Sequence, residues 1–129
     1  MPAQPAVEAV TTDAVRLDPA ALARLSELDP GGQGGLVRRV LRTYADSLQR
    51  LLDELRQARA VGRIDVLGRV AHTLKSSSAS IGASRFVALC ARVEACVRAA
   101  DGSDLSALLD ELENESLRVG RAVQALLSA

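Results

Sequence analysis

Apolar residues recur every three or four positions along most of the chain, the spacing that places them on one face of an α-helix. Stretches rich in glycine, proline and aspartate divide this pattern into five segments. The predicted helices span residues 19–28, 36–60, 64–80, 84–100 and 105–126. Because short connections join the four long segments, we expect an all-α fold: an antiparallel up-down-up-down four-helix bundle, with the short extra N-terminal helix lying across one end. Residues 1–16 are predicted to form a flexible tail and residues 17–129 the bundle domain.

Residues that begin or end helices stand at the expected boundaries. Asp18 is a natural N-cap for the first helix, and Ser84 can cap the fourth. Gly62 and Gly82 are expected to end the second and third helices. The glycine cluster between positions 29 and 35 is predicted to be a flexible loop.

The composition fits a helical domain and narrows the range of functions. A chain of 129 residues is about one domain, and its 2% of aromatic residues favours helices packed through aliphatic side chains. The formal net charge of zero, without a basic stripe, argues against nucleic acid as the main partner. We find neither a secretory signal nor a run near the ~20 apolar residues of a membrane span. We therefore expect a cytoplasmic protein that does not engage the membrane, and a monomer, since four helices can bury their apolar stripes among themselves.

The two cysteines indicate neither a disulfide nor a metal site. Cys90 and Cys96 would be separated by about 9 Å of helical rise, too far to bond to each other. Cys90 falls on the apolar stripe of its helix and Cys96 at the edge of that stripe. With a single histidine and no Cys-x-x-Cys spacing, no zinc site is expected.

The only histidine, His72, and the only lysine, Lys75, lie one turn apart on the third predicted helix. At about 100° per residue, the apolar positions of that helix fall within roughly 60°, and His72 lies about 150° from their middle. The imidazole should therefore face solvent. Its neighbours on the exposed face are small or cationic: Gly68, Arg69, Lys75, Ser76 and Ala79.

Gly68 adds weight to a functional interpretation of this face. A glycine inside a helix costs roughly 0.8–1.0 kcal/mol relative to alanine. On the exposed face we expect no packing contact to explain it, which suggests that the glycine keeps the histidine accessible.

The segment Ala71-His-Thr-Leu-Lys-Ser-Ser-Ser78, followed by Ile81-Gly-Ala83 and Leu89-Cys-Ala-Arg-Val-Glu94, resembles the histidine phosphotransfer (HPt) domain of multistep phosphorelays. The signature of that family reads His-x-Leu-Lys-Gly-Ser-Ser, then Gly-Ala, then a second amphipathic helix. The resemblance covers about residues 18–127. One position departs from the signature, because Ser76 stands where the family usually has glycine. Serine is still small, so its effect should fall on the transfer rate.

The resemblance implies a phosphocarrier without autokinase activity. His72 would accept a phosphoryl group, on Nε2 by family resemblance, from the aspartyl phosphate of a response-regulator receiver domain or hybrid histidine kinase, and pass it to another receiver aspartate. Lys75 would offset the phosphoryl charge, with Arg69 as a weaker candidate. Gly68, Arg69, Ser76 and Ala79 would contact the partner. We expect no cofactor on this chain, and Mg²⁺ to belong to the receiver, because no carboxylate cluster is expected around His72.

Other functions remain open from the sequence. A sensor-kinase dimerisation domain also presents a helical histidine, but it typically has an acidic residue next and soon a proline, whereas Thr73 follows here and no proline occurs after Pro30. A degenerate or scaffolding bundle would bind a receiver or another protein without transferring anything. A metal or redox enzyme is disfavoured by the few potential ligands.

Overall fold

The computed structural model describes residues 17–129, and the predicted tail at residues 1–16 lies outside that range. Five α-helices follow one another: α1 (Pro19–Glu27), α2 (Leu36–Val61), α3 (Ile64–Ser80), α4 (Ser84–Arg98) and α5 (Leu105–Ser128). The four long helices form a closed ring, in which α3 packs between α2 and α4, and α5 packs between α4 and α2. The predicted all-α bundle with a short extra helix is confirmed. None of the helices described is long and apolar enough to cross a membrane.

The core is mostly aliphatic, and the two aromatic residues of the chain, Tyr44 and Phe86, are both buried in it. Fully buried leucines and valines come from all four long helices. One polar pair crosses the core, where the hydroxyls of Tyr44 on α2 and Ser78 on α3 lie 2.8 Å apart. Burial raises the pKa of Tyr44 to about 12. The Ser78 hydroxyl bonds to Tyr44 because a buried phenol and a buried hydroxyl each need a partner.

Asp18 and Gly82 connect the start of α1 to the turn between α3 and α4. Asp18 caps α1 as predicted, since its carboxylate accepts a hydrogen bond from the N–H of Ala20 at 3.0 Å. The backbone N–H of Asp18 donates to the carbonyl of Gly82 at 2.9 Å, which ties α1 to the α3–α4 turn. Gly82 has a φ of +76°, and a Cβ there would lie 2.6 Å from the Asp18 nitrogen, so both the backbone and the close approach require glycine. The predicted capping by Ser84 is wrong: Ala83 occupies the N-cap and Ser84 is already helical.

The segment predicted as a flexible loop is organised by Asp29. Residues Pro30–Gly32 form a 3₁₀ turn. The Asp29 carboxylate accepts hydrogen bonds from the N–H groups of Gly34 and Leu36, both at 3.1 Å, and so supplies acceptors at the start of α2. These bonds, that with Leu36 first, lower the pKa of the Asp29 carboxyl.

Both cysteines are free thiols. Cys90 is buried, as predicted, and its burial raises the pKa of the thiol to about 12. Cys96 is half-buried, in keeping with its expected place at the edge of the stripe.

Candidate functional site

His72 lies in the middle of α3, and its side chain is 63% exposed. The apolar residues on either side of it, Ala71 and Leu74, are fully buried. The helical geometry therefore turns the imidazole outward, as the 100° periodicity predicts. Ser76 and Ala79, one and two turns further along, are exposed and small, so the ring can be approached from solvent.

A carboxylate from the neighbouring helix holds the ring. Nδ1 of His72 lies 2.8 Å from Oε2 of Glu94, on α4. The other oxygen of Glu94 lies 2.6 Å from the ammonium of Lys75. The Glu94 side chain is only 12% exposed, so this carboxylate depends on these two partners. We call His72, Lys75 and Glu94 the triad.

The protonation of the triad follows from its electrostatics. The hydrogen bond from Lys75, and then that from His72, lower the pKa of the Glu94 carboxyl, although desolvation acts in the opposite direction. An ionised carboxylate can only accept hydrogen bonds. Nδ1 must therefore carry the proton that it donates to Glu94, which leaves the lone pair of a neutral ring on Nε2.

Glu94 is the residue of the triad that was not singled out from the sequence. It is part of the quoted motif, but no role was predicted for it. The signal that could have found it is the register of α3 and α4, which run antiparallel from the turn at Gly82. In that register Gly68 of α3 faces Val97 of α4. His72, four residues after Gly68, then faces Glu94, three residues before Val97.

Gly68 has a packing role, so the expectation that no contact explains it is wrong. The residue is half-buried, and a Cβ built on it would lie 3.0 Å from Cγ1 of Val97. That distance is tighter than almost all real Cβ contacts. The missing side chain lets α3 approach α4 closely, one turn from the point where His72 meets Glu94.

The remaining predicted site residues divide between the triad and the surface. Lys75 is half-buried and paired with Glu94, so it belongs to the triad. Arg69 forms an ion pair with Glu54 of α2, on the side of α3 that faces away from α4. Asp65, the nearest carboxylate in sequence, is bound to Arg63.

Residues 17–129 contain no group of three or more His, Cys, Asp or Glu side chains that could hold a metal ion. The site offers an accessible imidazole bonded to a carboxylate, a cation beside that carboxylate, and small neighbouring side chains that leave room for a large reactant.

Three comparisons with known proteins bear on this site. The model of the Hpt domain family matches residues 39–128. The fold is similar to the crystal structure of histidine-containing phosphotransfer protein B (HptB) from Pseudomonas aeruginosa PAO1, with a TM-score of 0.77 and 24% sequence identity. That match covers 87% of this chain and 94% of the other. No curated protein sequence matches significantly.

Proposed function

The chain belongs to the Hpt domain family of phosphorelays, and on this premise we propose that His72 is the phosphoacceptor, taking its phosphoryl group from one receiver domain and giving it to another. The observation that supports this proposal best is the triad: an exposed ring whose Nδ1 lies 2.8 Å from the Glu94 carboxylate, so that Nε2 is the nitrogen left to react. The family supplies the reaction class, and the triad supplies the atom that reacts.

In the forward step, the Nε2 lone pair attacks the phosphorus of an aspartyl phosphate in line. The new N–P bond forms as the P–O bond to the aspartate breaks, and the electron pair of that bond leaves with the carboxylate. No proton has to move during this step, because Nδ1 keeps its own. The ring becomes positively charged as it loses electron density to phosphorus, and the ionised Glu94 lies 2.8 Å away to stabilise that charge.

Lys75 is the cation that offsets the phosphoryl charge. Its ammonium is bound to Glu94, the same carboxylate that contacts the His72 ring. The flexible side chain of Lys75 allows the ammonium to turn toward the oxygens of a phosphoryl group on Nε2. Arg69 takes a smaller part, because its guanidinium is held by Glu54. The partner contacts the small residues around the ring: Gly68, Ser76 and Ala79.

The return step reverses these bonds. A receiver aspartate attacks phosphorus, and because Nδ1 remains protonated the ring leaves as neutral imidazole. The Mg²⁺ that the reaction requires belongs to the acidic pocket of the receiver. The chain works as a cytoplasmic phosphocarrier without autokinase activity, loaded by a receiver or hybrid kinase.

The test is transfer from a panel of phosphorylated receivers. Each receiver is mixed with the wild-type chain, with His72→Gln and with Lys75→Gln, and the phosphoryl group is followed on both proteins. We expect an acid-labile signal on the wild-type chain, none on His72→Gln, and slower transfer to Lys75→Gln. Equal signal on His72→Gln would refute the assignment. Binding without transfer across the whole panel would instead favour a scaffolding bundle.

A further inference from the structure

A groove of about 550 Å³ runs between α2 and α5, on the side of the bundle opposite His72. Its floor contains Leu48 and Leu52 of α2 and Gly120 of α5. Gly120 leaves the groove deep because it has no side chain to fill it. A Cβ built there would lie 3.9 Å from a methyl group of Leu48, an ordinary contact distance. Leu117 lies on the rim and is 52% exposed. Large exposed apolar side chains beside an apolar groove are typical of interaction surfaces.

The groove has the shape that receives a side chain from another helix. Four residues of α5 line it at positions i, i+3, i+4 and i+7: Leu117, Gly120, Arg121 and Gln124. Such a set forms a hole for one projecting side chain of a facing helix. Leu117 itself projects from the edge of this hole. When the α5 helices of two copies lie antiparallel, the Leu117 of each copy can therefore fill the hole of the other copy.

Charges along α2 and α5 are segregated in a way that suits this arrangement. Near one end of the pair, residues 52–59 and 106–113 carry five carboxylates and two arginines, and one of these carboxylates, Glu54, is bound to Arg69 of α3. Near the other end, residues 38–49 and 117–128 carry five arginines and one carboxylate, and one of these arginines, Arg118, is bound to Glu115. When two copies lie antiparallel, the positive end of each faces the negative end of the other, which favours that orientation over the parallel one. Arg121, within the hole, has no ion pair among the residues that the structure describes.

We propose that two copies of this chain associate through the α2–α5 face, with α5 antiparallel to α5 and a two-fold axis crossing both helices. The interface is isologous, so each copy supplies the same leucine and the same hole. This differs from the monomer expected from the sequence, where the four stripes were assumed to be covered by one another. Both His72 rings lie on outer faces of the pair, and the dimer therefore presents two phosphoacceptors to two partners at once.

Sedimentation velocity over a concentration series tests the dimer. At low salt, we expect the mass to rise from 13.6 kDa toward twice that value as concentration increases. Leu117→Arg should raise the dissociation constant of the dimer at least about tenfold, because a leucine that the dimer buries is replaced by a charge at two symmetric positions. Leu126→Arg is the matched control: Leu126 is 41% exposed on the same helix but lies outside the groove, and its dissociation constant should not change.

Salt and a second variant test the charge pattern. Raising the salt from low to ~0.5 M should weaken the wild-type dimer several-fold, because the Debye length falls well below 10 Å. Arg121→Glu should weaken it at low salt, and it remains informative if Leu117→Arg does not fold, since Arg121 is exposed. Circular dichroism melts identify any variant that is unfolded.

A single species of 13.6 kDa at every concentration and at low salt would overturn the dimer. Equal weakening by Leu117→Arg and Leu126→Arg would place any interface elsewhere, and a dimer that tightens with salt would contradict the charge pairing. The outcome is separable from the proposed function. His72→Gln should still dimerise, and monomeric Leu117→Arg should still accept a phosphoryl group.

Discussion

Replacing Glu94 with glutamine tests how the triad prepares Nε2. In the wild-type chain, one carboxylate oxygen accepts the Nδ1–H of His72 at 2.8 Å and the other lies 2.6 Å from the Lys75 ammonium. A glutamine amide has one acceptor oxygen and one NH₂ donor, so it cannot accept from both. If the oxygen stays with the ammonium, the NH₂ faces Nδ1. Nδ1 must then lose its proton, and the neutral ring carries it on Nε2 instead.

The cost of that change can be worked out from the bond that is lost. A hydrogen bond to a charged group contributes about 1.5–3 kcal/mol, and this is the preference for the Nδ1–H tautomer that Glu94→Gln removes. At about 1.36 kcal/mol per factor of ten in rate, transfer to Glu94→Gln should be roughly 10- to 100-fold slower than to the wild-type chain. The fold should survive, because glutamine has the same shape and the site lies at the surface.

The assay is single-turnover transfer from a phosphorylated receiver, with ¹⁵N NMR of the ring to report its tautomer. Glu113→Gln is the matched control, since Glu113 also bridges two helices, binding Arg56 and Arg59, but lies away from the triad. It should transfer at the wild-type rate. An unchanged rate in Glu94→Gln, or a wild-type ring protonated on Nε2, would refute this account of the triad.

Three further outcomes concern stability. Gly68→Ala should add about 1 kcal/mol to the free energy of unfolding in a Val97→Ala background, from helix propensity. In the wild type it should add little or nothing, because the new Cβ would lie 3.0 Å from Cγ1 of Val97. Chemical denaturation of the wild type, the two single variants and the double variant measures this coupling. Tyr44→Phe should cost about 1 kcal/mol in urea unfolding, because it leaves the buried Ser78 hydroxyl without its partner, and Ser78→Ala added to it should recover part of the loss. Asp29→Asn should lower the melting temperature at neutral pH. Because folding lowers the pKa of this carboxyl from 3.8, the difference from wild type should vanish as the pH falls through that lowered value, and a constant difference would count against it.

The fold was predictable because its signals are local. The 3.6-residue period, Asp18 before α1 and the glycines after α2 and α3 act within a turn or two of the residues they control. Ser84 shows the limit of this approach. Its identity suits a cap, but the turn at Gly82 places Ala83 in the capping position.

The site was only half predictable, for a physical reason. The direction of His72 follows from its own helix. Its contact with Glu94, 22 positions further along the chain, depends on how α3 and α4 are aligned. Gly68 was misread for the same reason, since its neighbour Val97 belongs to the other helix. In each case the missing information was the register of α3 and α4, which the turn at Gly82 sets.

A charge count over the triad indicates why it suits a carrier that must both load and unload. Before transfer, the ammonium of Lys75 and the carboxylate of Glu94 cancel beside a neutral ring. On the proposed mechanism, loading adds a phosphoryl group of about two negative charges and leaves one positive charge on the ring, so the site changes by about one charge in total. Glu94 then faces the charged ring, and Lys75 lies between two anions. Each new charge has an opposite one within reach before and after transfer, so neither form is stabilised so strongly that the reverse step would stall.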